Sequence, residues 1–218
     1  MYLRIDLHVH TFYSADSSIT PQQLVFYAKK AGLDGVAVTD HNRLSGAPTT
    51  AQETDFFIIP GMEIESSQGH VVALNLQEPV QKGLSVDETV DRIHEANGIA
   101  VACHPFGLWK GGLGKHVTAK FDAVEVINAS SLPFRHSARR SESLALSIGK
   151  PRVAGSDAHY GPEIGCAYTQ IEAELDVDDV IKAISNGLCQ PFGRAIPFDL
   201  RLRKILAQFR KQGSLGKV

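Results

Sequence analysis

The stretch DLHVHTFYSAD, residues 6–16, places two histidines and two carboxylates close together near the start of the chain. With the residues before it, this stretch alternates apolar and polar side chains, which is the period of a β-strand. The alternation predicts that Leu7 and Val9 share one face of the strand and that His8 and His10 share the other. Two side chains at this spacing can bind one ion from two sides. The stretch therefore predicts a first strand that carries polar chemistry as well as part of the core.

The rest of the chain alternates between strand-like and helix-like segments. Apolar runs that indicate strands are DGVAVTDH, FFIIPGMEIE, HVVALNL, IAVACHP, FDAVEVINA, PRVAGSDAH and, as a further candidate, AYTQIEA. Amphipathic patterns predict helices after Thr20, Ser85 and Asp176, over residues 137–148, and in the segment FDLRLRKILAQFRKQG. This order predicts an α/β fold whose largely parallel strands close into a TIM-like barrel. An open sheet is the alternative, because the sequence does not reveal the strand order.

The composition is that of an ordinary globular protein of 218 residues with a net charge of −2. This balance favours neither nucleic acid nor a membrane surface as a partner, and no apolar run approaches the roughly 20 residues that a membrane span needs. The N-terminus lacks a signal-peptide pattern, and the three separated cysteines favour a reducing, cytoplasmic location. We expect a barrel domain over residues 1–195 and a C-terminal amphipathic helix and tail over residues 196–218.

Polar side chains gather at the ends of the predicted strands. The residues concerned are His8, His10, Asp16, Asp40, His41, Glu63, Glu65, His70, His104, Asp157 and His159. Since strand ends and the loops that follow them meet at one face of a barrel, these residues should converge. Imidazole and carboxylate groups are ligands for Zn²⁺, Mn²⁺ and Fe²⁺. A single interior histidine is more often a hydrogen-bonded core residue, but burying so many ionisable groups without a cation is costly, so we predict a metal site.

Six motifs, taken together and in order, resemble the polymerase and histidinol phosphatase family, PHP. They are DLHVHTFYSADSS, GLDGVAVTDHN, PGMEIESSQGHVVAL, ACHPF, VEVINA and VAGSDAH. Members of this family adopt a distorted seven-stranded barrel, hold two or three metal ions and hydrolyse phosphate esters. The resemblance therefore implies a distorted (β/α)7 TIM-like barrel with two or three divalent ions, whether zinc, manganese or iron.

Carried over onto this sequence, the resemblance implies three groups of metal ligands. The implied ligands are His8, His10, Glu63 and Asp157 for one ion; Glu63 as a bridge, with His70 and His104, for a second; and Asp16, His41 and His159 for a third.

Two positions depart from the family pattern. Members often place the loop carboxylate five residues after the second histidine, where this chain has Ala15, so Asp16 requires a slight bulge in the loop. Glu65 stands where a small hydroxyl residue is common, and the residues alone do not separate it from Glu63 as a ligand. The motif favours Glu63, with Glu65 as an acceptor near the site or a competing ligand. Asp40 is expected to orient a ligand histidine rather than to bind metal.

The charge of such a site favours phosphate esters as substrates. Three divalent ions outweigh three carboxylates, and a phosphate monoester dianion with one hydroxide would balance the excess positive charge. Water bound to such ions is hydroxide near neutral pH. We therefore predict that a metal-bridging hydroxide attacks phosphorus while the ions stabilise the charge on the phosphoryl oxygens.

Basic residues in two loops are candidates for binding the substrate. Lys110 lies in HPFGLWKGGLGKH and Arg135 lies in NASSLPFRHSARR, and both loops follow predicted strands.

Cys103 lies in a predicted strand next to a predicted ligand, so we expect its side chain to face the helix layer. The basic residues of the last helix could contact nucleic acid, but the pattern favours the solvent face of an amphipathic helix for Arg201, Lys204, Arg210 and Lys211.

The favoured function is metal-dependent hydrolysis of a phosphomonoester of a small metabolite or nucleotide. A nuclease-type phosphodiesterase acting on nucleic-acid ends would use the same metals, but the short chain favours the smaller substrate. A non-enzymatic metal-binding regulatory module is the third alternative, and the complete ligand set disfavours it. We expect a small phosphorylated substrate as the partner and no membrane.

Overall fold

Nine β-strands and six α-helices alternate in the part of the chain that the structure describes. The structure is a computed structural model that describes residues 1–108 and 111–215, with side chains as far as residue 207. The strands are Tyr2–Val9 (β1), Gly35–Val38 (β2), Phe57–Ser66 (β3), Gly69–Leu74 (β4), Ile99–Ala102 (β5), Ala123–Asn128 (β6), Arg152–Gly155 (β7), Ala167–Glu172 (β8) and Cys189–Gly193 (β9). The helices are Pro21–Lys30 (α1), Gly46–Glu53 (α2), Val86–Glu95 (α3), Phe134–Ser147 (α4), Val177–Ser185 (α5) and Phe198–Leu215 (α6), with short 3₁₀ turns at Gly114–His116 and Gly161–Glu163.

Local sequence signals set the starts of three helices as predicted. The side-chain oxygen of Thr20 accepts the N–H of Gln23 before α1, and the Gln23 side chain accepts the N–H of Thr20 in return. Ser85 and Glu88 form the same reciprocal pair at α3, and Asp176 caps α5. These caps satisfy backbone N–H groups that have no partner within the helix.

The strands form one sheet in the order β7-β6-β5-β4-β3-β2-β1-β8-β9. Neighbouring strands are parallel from β1 to β3 and from β5 to β7, whereas β4 is antiparallel to both β3 and β5. After β7 the chain returns to β1: the N–H of Asp157 donates to the carbonyl of His8 at 2.8 Å, and the N–H of His10 donates to the carbonyl of Ala158 at 3.0 Å. These bonds close the first seven strands into a barrel, which confirms the predicted α/β, TIM-like architecture.

The strand count differs from the predicted seven. β8 and β9 extend the sheet beyond β1 with antiparallel pairing, so that the sheet has nine strands. The pattern does not reveal β9 because Pro191 and Gly193 interrupt it, and such residues are tolerated in a strand at the edge of a sheet. The pattern also does not reveal α2, because its segment GAPTTAQE is rich in weak helix formers.

An irregularity in β1 changes the predicted division of its faces. Leu7 packs with the apolar interior of the barrel, whereas Val9 packs with the outer layer that includes Leu24 of α1. The register between β1 and β2 shifts between Asp6 and Val9. Past this shift the strand twists locally, and the imidazole of His8 lies on the interior side. The prediction that Leu7 and Val9 share a face is therefore wrong.

The interior of the barrel is apolar at one end and polar at the other. The apolar end combines side chains from several strands with the apolar face of α5, and it includes Ile5, Ile59, Leu74, Val101 and Ile184. The polar end lies where β1, β3 and β7 finish, and it holds the predicted site. Burial of the apolar end stabilises the barrel, so that the polar end can hold groups that do not favour burial.

The last helix attaches to the barrel through the partly buried Leu200, which packs against a core cluster, and through two basic side chains. Arg201 and Lys204 are partly buried and contact residues of the barrel. The prediction that Arg201 and Lys204 lie on the solvent face is therefore wrong, and the side chains of Arg210 and Lys211 lie outside the described residues. The apolar side chains of Leu202, Ile205 and Leu206 are instead about half exposed.

Among the described helices, none combines the length and the apolar character needed to cross a bilayer. Cys103, Cys166 and Cys189 are unpaired thiols, in agreement with their wide spacing in the sequence. The cytoplasmic location and the division of the chain at residue 195 stay predictions.

Gly155, the last residue of β7, lies so close to β1 that a larger residue does not fit. An added Cβ atom would lie 2.4 Å from Cβ of His8 and 2.8 Å from Oε1 of Glu125. We expect Gly155→Ala to lower the free energy of unfolding by about 2–3 kcal/mol in urea denaturation, because β7 must move away from β1.

The control for this change is Gly149→Ala, where an added Cβ atom meets nothing within 4 Å. Its backbone φ of 64° is left-handed, so the control should cost only about 1 kcal/mol. Equal losses of stability in the two variants would contradict the close approach of β1 and β7.

Candidate metal centre

The carboxylate of Glu63 lies at the centre of the polar end and is 1% exposed. Its Oε1 atom is 2.8 Å from Nε2 of His104 and 2.9 Å from Nδ1 of His70, and both contacts are hydrogen bonds. Glu63 belongs to β3, His70 to β4, and His104 follows β5. One oxygen atom therefore connects three neighbouring strands of the barrel.

The second oxygen of Glu63 faces three further imidazoles. Oε2 lies 3.1 Å from Nδ1 of His41, 3.2 Å from Nε2 of His10 and 3.4 Å from Nε2 of His8. Within the described residues, Oε2 forms no hydrogen bond with these rings. The three nitrogen atoms and Oε2 lie close together without hydrogen bonds, as ligand atoms of one cation would.

Asp157, two residues after β7, extends the cluster towards β1. Its Oδ1 atom lies 3.5 Å from Nε2 of His10, 3.5 Å from Nδ1 of His159 and 3.9 Å from Nε2 of His8. The side-chain amide of Asn128 donates to its Oδ2 atom at 3.3 Å. Asp157 is thereby oriented from β6 while it faces the imidazoles of β1.

Asp16, in the loop after β1, reaches the outer part of the cluster. Its Oδ2 atom lies 3.1 Å from Nε2 of His159 and 3.7 Å from Nε2 of His41. The Asp16 side chain is 58% exposed, so this part of the cluster lies at the opening of the barrel. The structure brings these three residues together although Asp16 lies one position beyond the usual place in the loop.

Several buried atoms of the cluster have no hydrogen-bond partner among the described residues. They are Nε2 of His8, His10 and His159, Nδ1 of His41 and His104, and Oε2 of Glu63. Leaving one such atom buried and unsatisfied costs about 1–3 kcal/mol, which a bound cation would offset. Bonds of about 2.0–2.2 Å to zinc separate neighbouring ligand atoms by about 3–3.5 Å, which matches the distances around Glu63. The residues therefore fit a centre of divalent metal ions.

The charge states of the cluster favour cation binding. Burial raises the pKa of Glu63, but the charge of His8 and the other imidazoles outweighs burial and holds this pKa well below its usual range. Burial, with a contribution from His10, lowers the pKa of His159 to about 4. Burial also opposes protonation of His8, but Glu125 and the other carboxylates raise its pKa well above the usual value. A divalent cation would be attracted by the same negative field and would replace that proton.

Glu125 in β6 supports the cluster from behind, a role that the sequence reasoning missed. Its Oε1 atom lies 3.1 Å from Nδ1 of His8, and its Oε2 atom accepts the N–H of His104 at 2.8 Å and the amide of Asn128 at 2.9 Å. The contact with Nδ1 favours the form of His8 whose Nε2 is available to a cation. The signal in the sequence is a single acidic residue in the apolar run VEVIN, which a buried strand tolerates only with partners.

Asp40, which follows β2, is fully buried and reaches an imidazole through Ser14. It accepts the N–H of Thr11 and the hydroxyl of Ser14, each at 2.7 Å. The Ser14 oxygen lies 3.2 Å from Nδ1 of His10. Asp40 therefore acts on His10 through an intervening hydroxyl, and its role in orienting a metal ligand stays a proposal.

Asp6 connects β1 to the segment that follows β7. Burial raises its pKa to about 6, although N–H groups of the protein bond to both of its oxygens. Oδ1 accepts the N–H of Ser156 at 2.8 Å, and Oδ2 accepts the N–H of Gly165 at 2.9 Å. These contacts fix the backbone immediately before Asp157.

The backbone has left-handed φ angles at His104, with 31°, and at Asp157, with 54°. Residues with a side chain rarely adopt this conformation, and it persists where the surrounding structure enforces it, often at functional sites. The conformation ends the strand alternation after β5. Cys103 shares the interior face with Val101, as regular alternation requires, and its thiol lies 3.2 Å from the carbonyl oxygen of His70. The left-handed backbone at His104 turns the next imidazole to the interior as well. The prediction that Cys103 faces the helix layer is wrong.

Glu65 and Arg135 do not join the cluster. Glu65 lies two positions beyond Glu63 on β3, but its side chain is 49% exposed and lies 4.0 Å from the amine of Lys82. Arg135 is exposed in the first turn of α4, and within the described residues it makes no hydrogen bond or ion pair with the cluster. Lys110 lies outside the described residues.

Comparison of the sequence with known proteins identifies relatives of this fold. A family model described as PHP-associated matches residues 135–189. An uncharacterized protein of Methanocaldococcus jannaschii is 37% identical over 141 residues, which cover 58% of this chain and 82% of that protein. The 5'-3' exoribonuclease Rnm of Salmonella typhimurium is 32% identical over 124 residues, which cover 50% of this chain and 41% of that enzyme.

Comparison of the structure leads to the same fold. A two-domain protein from Bacteroides vulgatus that contains a predicted PHP-like metal-dependent phosphoesterase superposes with a TM-score of 0.72 at 17% identity. The match covers 95% of this chain and 70% of that protein. At this identity the likeness establishes the barrel fold.

Glu63 and Glu65 offer a matched pair of substitutions on one strand. We expect Glu63→Gln to bind less than half of the wild-type amount of Mn²⁺ at equal free metal, because an amide lacks the negative charge that all five imidazoles face. Glu65→Gln should bind the wild-type amount, because its carboxylate lies outside the cluster. Plasma emission spectroscopy after desalting measures the metal content of both variants. Loss of metal from Glu65→Gln alone would reverse the assignment of the two residues.

Glu125→Gln tests the contact behind His8. We expect this variant to weaken Mn²⁺ binding by about 10–100-fold in a calorimetric titration, because the imidazole loses the carboxylate that selects its tautomer. The control is Glu95→Gln on the surface of α3. The side chain of Glu95 is 63% exposed and pairs with Arg92. Unchanged affinity in Glu125→Gln would mean that the contact with His8 does not tune the centre.

Proposed function

The chain belongs to the PHP family, and on that premise we propose that it is a metal-dependent hydrolase of phosphate esters. The observation that carries this proposal is the carboxylate of Glu63, whose two oxygens face five imidazoles at 2.8–3.4 Å. Several cations held so close together suit phosphoryl transfer, because they place positive charge beside oxygens that become more negative in the reaction. The proposed substrate is a phosphomonoester of a small metabolite or a nucleotide.

We propose that the cluster holds two or three divalent ions of zinc, manganese or iron. The proposed ligands are His8, His10, Glu63 and Asp157 for the first; Glu63, His70 and His104 for the second; and Asp16, His41 and His159 for the third. When bound, these cations would supply a nucleophile at neutral pH and stabilise the phosphoryl oxygens.

The residues around the cluster have three further roles in this proposal. Glu125 and Ser14 hold the rings of His8 and His10, so that the nitrogen atoms facing the centre keep their lone pairs. The buried positions of these groups exclude bulk water, which strengthens electrostatic interactions with an anionic substrate. Asp16 is exposed, so the third group of ligands faces the entering substrate.

The size of the cavity limits what can enter it. The cavity between Asp16, His41, His70 and His159 has a volume of about 210 Å³. Cavities that enclose a drug-sized ligand have about 300–1,000 Å³. The phosphoryl group and the atoms next to it would therefore lie inside, and the rest of the substrate would lie at the surface.

Arg135 and Lys110 remain our candidates for contacts with the part of the substrate outside the cavity. Five residues separate the end of β6 from the start of α4, so Arg135 in the first turn of α4 belongs to the side of the barrel where β6 finishes. An exposed guanidinium there would attract a phosphorylated substrate and could form two parallel hydrogen bonds with it.

A nuclease that acts on the ends of nucleic acid is the second candidate function. The observation that favours it is the sequence similarity to an exoribonuclease over half of this chain. A terminal nucleotide could enter the cavity while the rest of the strand stays outside. The net charge of −2 gives a long polyanion little attraction, which is why we favour the small substrate. A purely regulatory metal-binding role is disfavoured, because the proposed ligands are all present.

Asp157→Asn and a panel of phosphate esters test the proposed function. We expect the wild-type protein with Mn²⁺ or Zn²⁺ to release phosphate from p-nitrophenyl phosphate faster than it hydrolyses the bis-ester or a 5'-labelled oligonucleotide. EDTA should abolish this activity, and Asp157→Asn should lower it at least about 100-fold, because loss of one ligand charge weakens the centre. The control is Asp55→Asn, which changes an exposed residue between α2 and β3 and should keep full activity.

Two outcomes would overturn parts of this proposal. Hydrolysis of the oligonucleotide without hydrolysis of the monoester would favour the nuclease. A metal-loaded protein that hydrolyses none of these esters, nor any phosphorylated metabolite in a broader panel, would favour the regulatory role.

A further inference from the structure

The C-terminal helix α6 contacts the segment between β7 and β8, which carries residues of the candidate metal centre, and the loop that follows Asn128 of β6. The guanidinium of Arg201 donates to the carbonyl oxygens of Ala129 and Ser130, each at 3.2 Å. The amine of Lys204 donates to Oε2 of Glu163 at 3.4 Å. Ala129 and Ser130 follow β6, and Glu163 belongs to the turn between β7 and β8. Two positive charges of one helix therefore hold both loops.

Glu163 connects Lys204 to the backbone of a proposed metal ligand. Its side chain is 1% exposed, and its Oε2 atom accepts the N–H of His159 at 3.0 Å and the N–H of Tyr160 at 3.1 Å. A carboxylate so deeply buried requires a compensating charge, and Lys204 provides it with a side chain that is only 24% exposed. Glu163 thus links the His159 backbone to α6 through one hydrogen bond and one ion pair.

The ring of His159 has little other freedom. It is 7% exposed, with Nδ1 at 3.0 Å from the carbonyl oxygen of Asp157 and Nε2 at 3.1 Å from Oδ2 of Asp16. Because the ring is confined between these groups, a small displacement of its backbone changes the distance between Nε2 and Oδ2. Those two atoms are proposed ligands of the same cation.

Arg201 acts on a second support of the centre. The carbonyl oxygens that it binds directly follow Asn128, whose side-chain amide donates to Glu125 and to Asp157. Holding the chain at Ala129 therefore holds Asn128 between these two carboxylates.

The attachment of α6 combines the packing of Leu200 against a core cluster with the polar contacts of Arg201 and Lys204. Leu202, Ile205 and Leu206 are about half exposed and contribute little burial against the barrel. The pairing of Lys204 with the buried Glu163 is accordingly one of several contacts that attach the helix.

We propose that Lys204 and Arg201 are positioning residues for the cation site that contains His159. The helix α6 would then be part of the metal centre's support, although neither side chain would bind an ion itself. This inference rests on the proposed metal centre, and it adds a dependence of one cation site on the C-terminal segment.

The test is a titration of the metal-free 218-residue protein with Mn²⁺. Electron paramagnetic resonance measures the concentration of free Mn²⁺ at each step. We expect Lys204→Met to weaken the weakest-bound Mn²⁺ by about 10–100-fold and to leave the tighter sites within twofold of wild type. Lys204→Arg should restore most of the affinity, because a guanidinium can also pair with Glu163. Arg203→Met is the matched control, because Arg203 lies on the same helix, is 68% exposed and pairs only loosely with Asp199 at 3.9 Å.

A second variant keeps the test decisive if Lys204→Met folds poorly. The double variant Glu163→Gln with Lys204→Met removes both charges, and the amide oxygen can still accept the N–H of His159. We expect it to fold and to bind the weakest Mn²⁺ less tightly than wild type, because α6 no longer holds the segment that carries His159; wild-type affinity in this variant would overturn the inference.

Three further outcomes would overturn the inference. Wild-type affinity at every site in Lys204→Met would show that the ion pair does not position His159. Equal weakening of all sites, in parallel with a lower melting temperature, would show a general structural role. A wild-type protein that binds no Mn²⁺ would overturn the proposed metal centre together with this inference.

Discussion

The carboxylate of Glu63 faces five imidazoles inside a closed barrel, and this crowding is the constraint on which the rest of the structure depends. Ring nitrogens that converge without hydrogen bonds are unfavourable in a buried site unless a cation satisfies them. Their positions must also be held before any cation binds. Glu125 behind His8 and Ser14 behind His10 provide that support, and each is itself held by further hydrogen bonds.

The fold separates the parts of the chain that stabilise it from the parts that form the site. The interior is apolar where α5 packs against the strands, and it becomes polar where the same strands end. The barrel is closed at this polar end by bonds between β1 and the segment after β7. Gly155 permits that closure, because a side chain there would collide with His8. The same closure brings Asp157 next to the two histidines of β1.

Much of the cluster could be predicted from the sequence. Strand periodicity shows which side chains share a face, and barrel topology shows which strand ends lie together. His8 and His10 lie two apart on one strand, and parallel strands bring Asp157 and His159 to the same end. The rules fail where the backbone departs from regular geometry. Alternation counted back from His104 misplaced Cys103, because the left-handed backbone at His104 turns its imidazole to the same side as the thiol.

Side chains whose role depends on a distant partner are the other group that the sequence could not reveal. Glu125 is an acidic residue in an apolar strand, and only the structure shows that it contacts His8. Lys204 fits an amphipathic helix in which basic residues face solvent, and only the fold reveals that it pairs with the buried Glu163. The choice between Glu63 and Glu65 likewise depended on how far β3 continues beyond the barrel interior, since both residues share one strand face.

Anomalous X-ray scattering from crystals grown with Mn²⁺ tests the central claim most directly. The account predicts anomalous peaks about 2.0–2.3 Å from the carboxylate oxygens of Glu63, with the imidazole nitrogens of β1 turned towards them. A map without such peaks, in which Oε2 of Glu63 instead forms ordinary hydrogen bonds with the rings around it, would contradict the account.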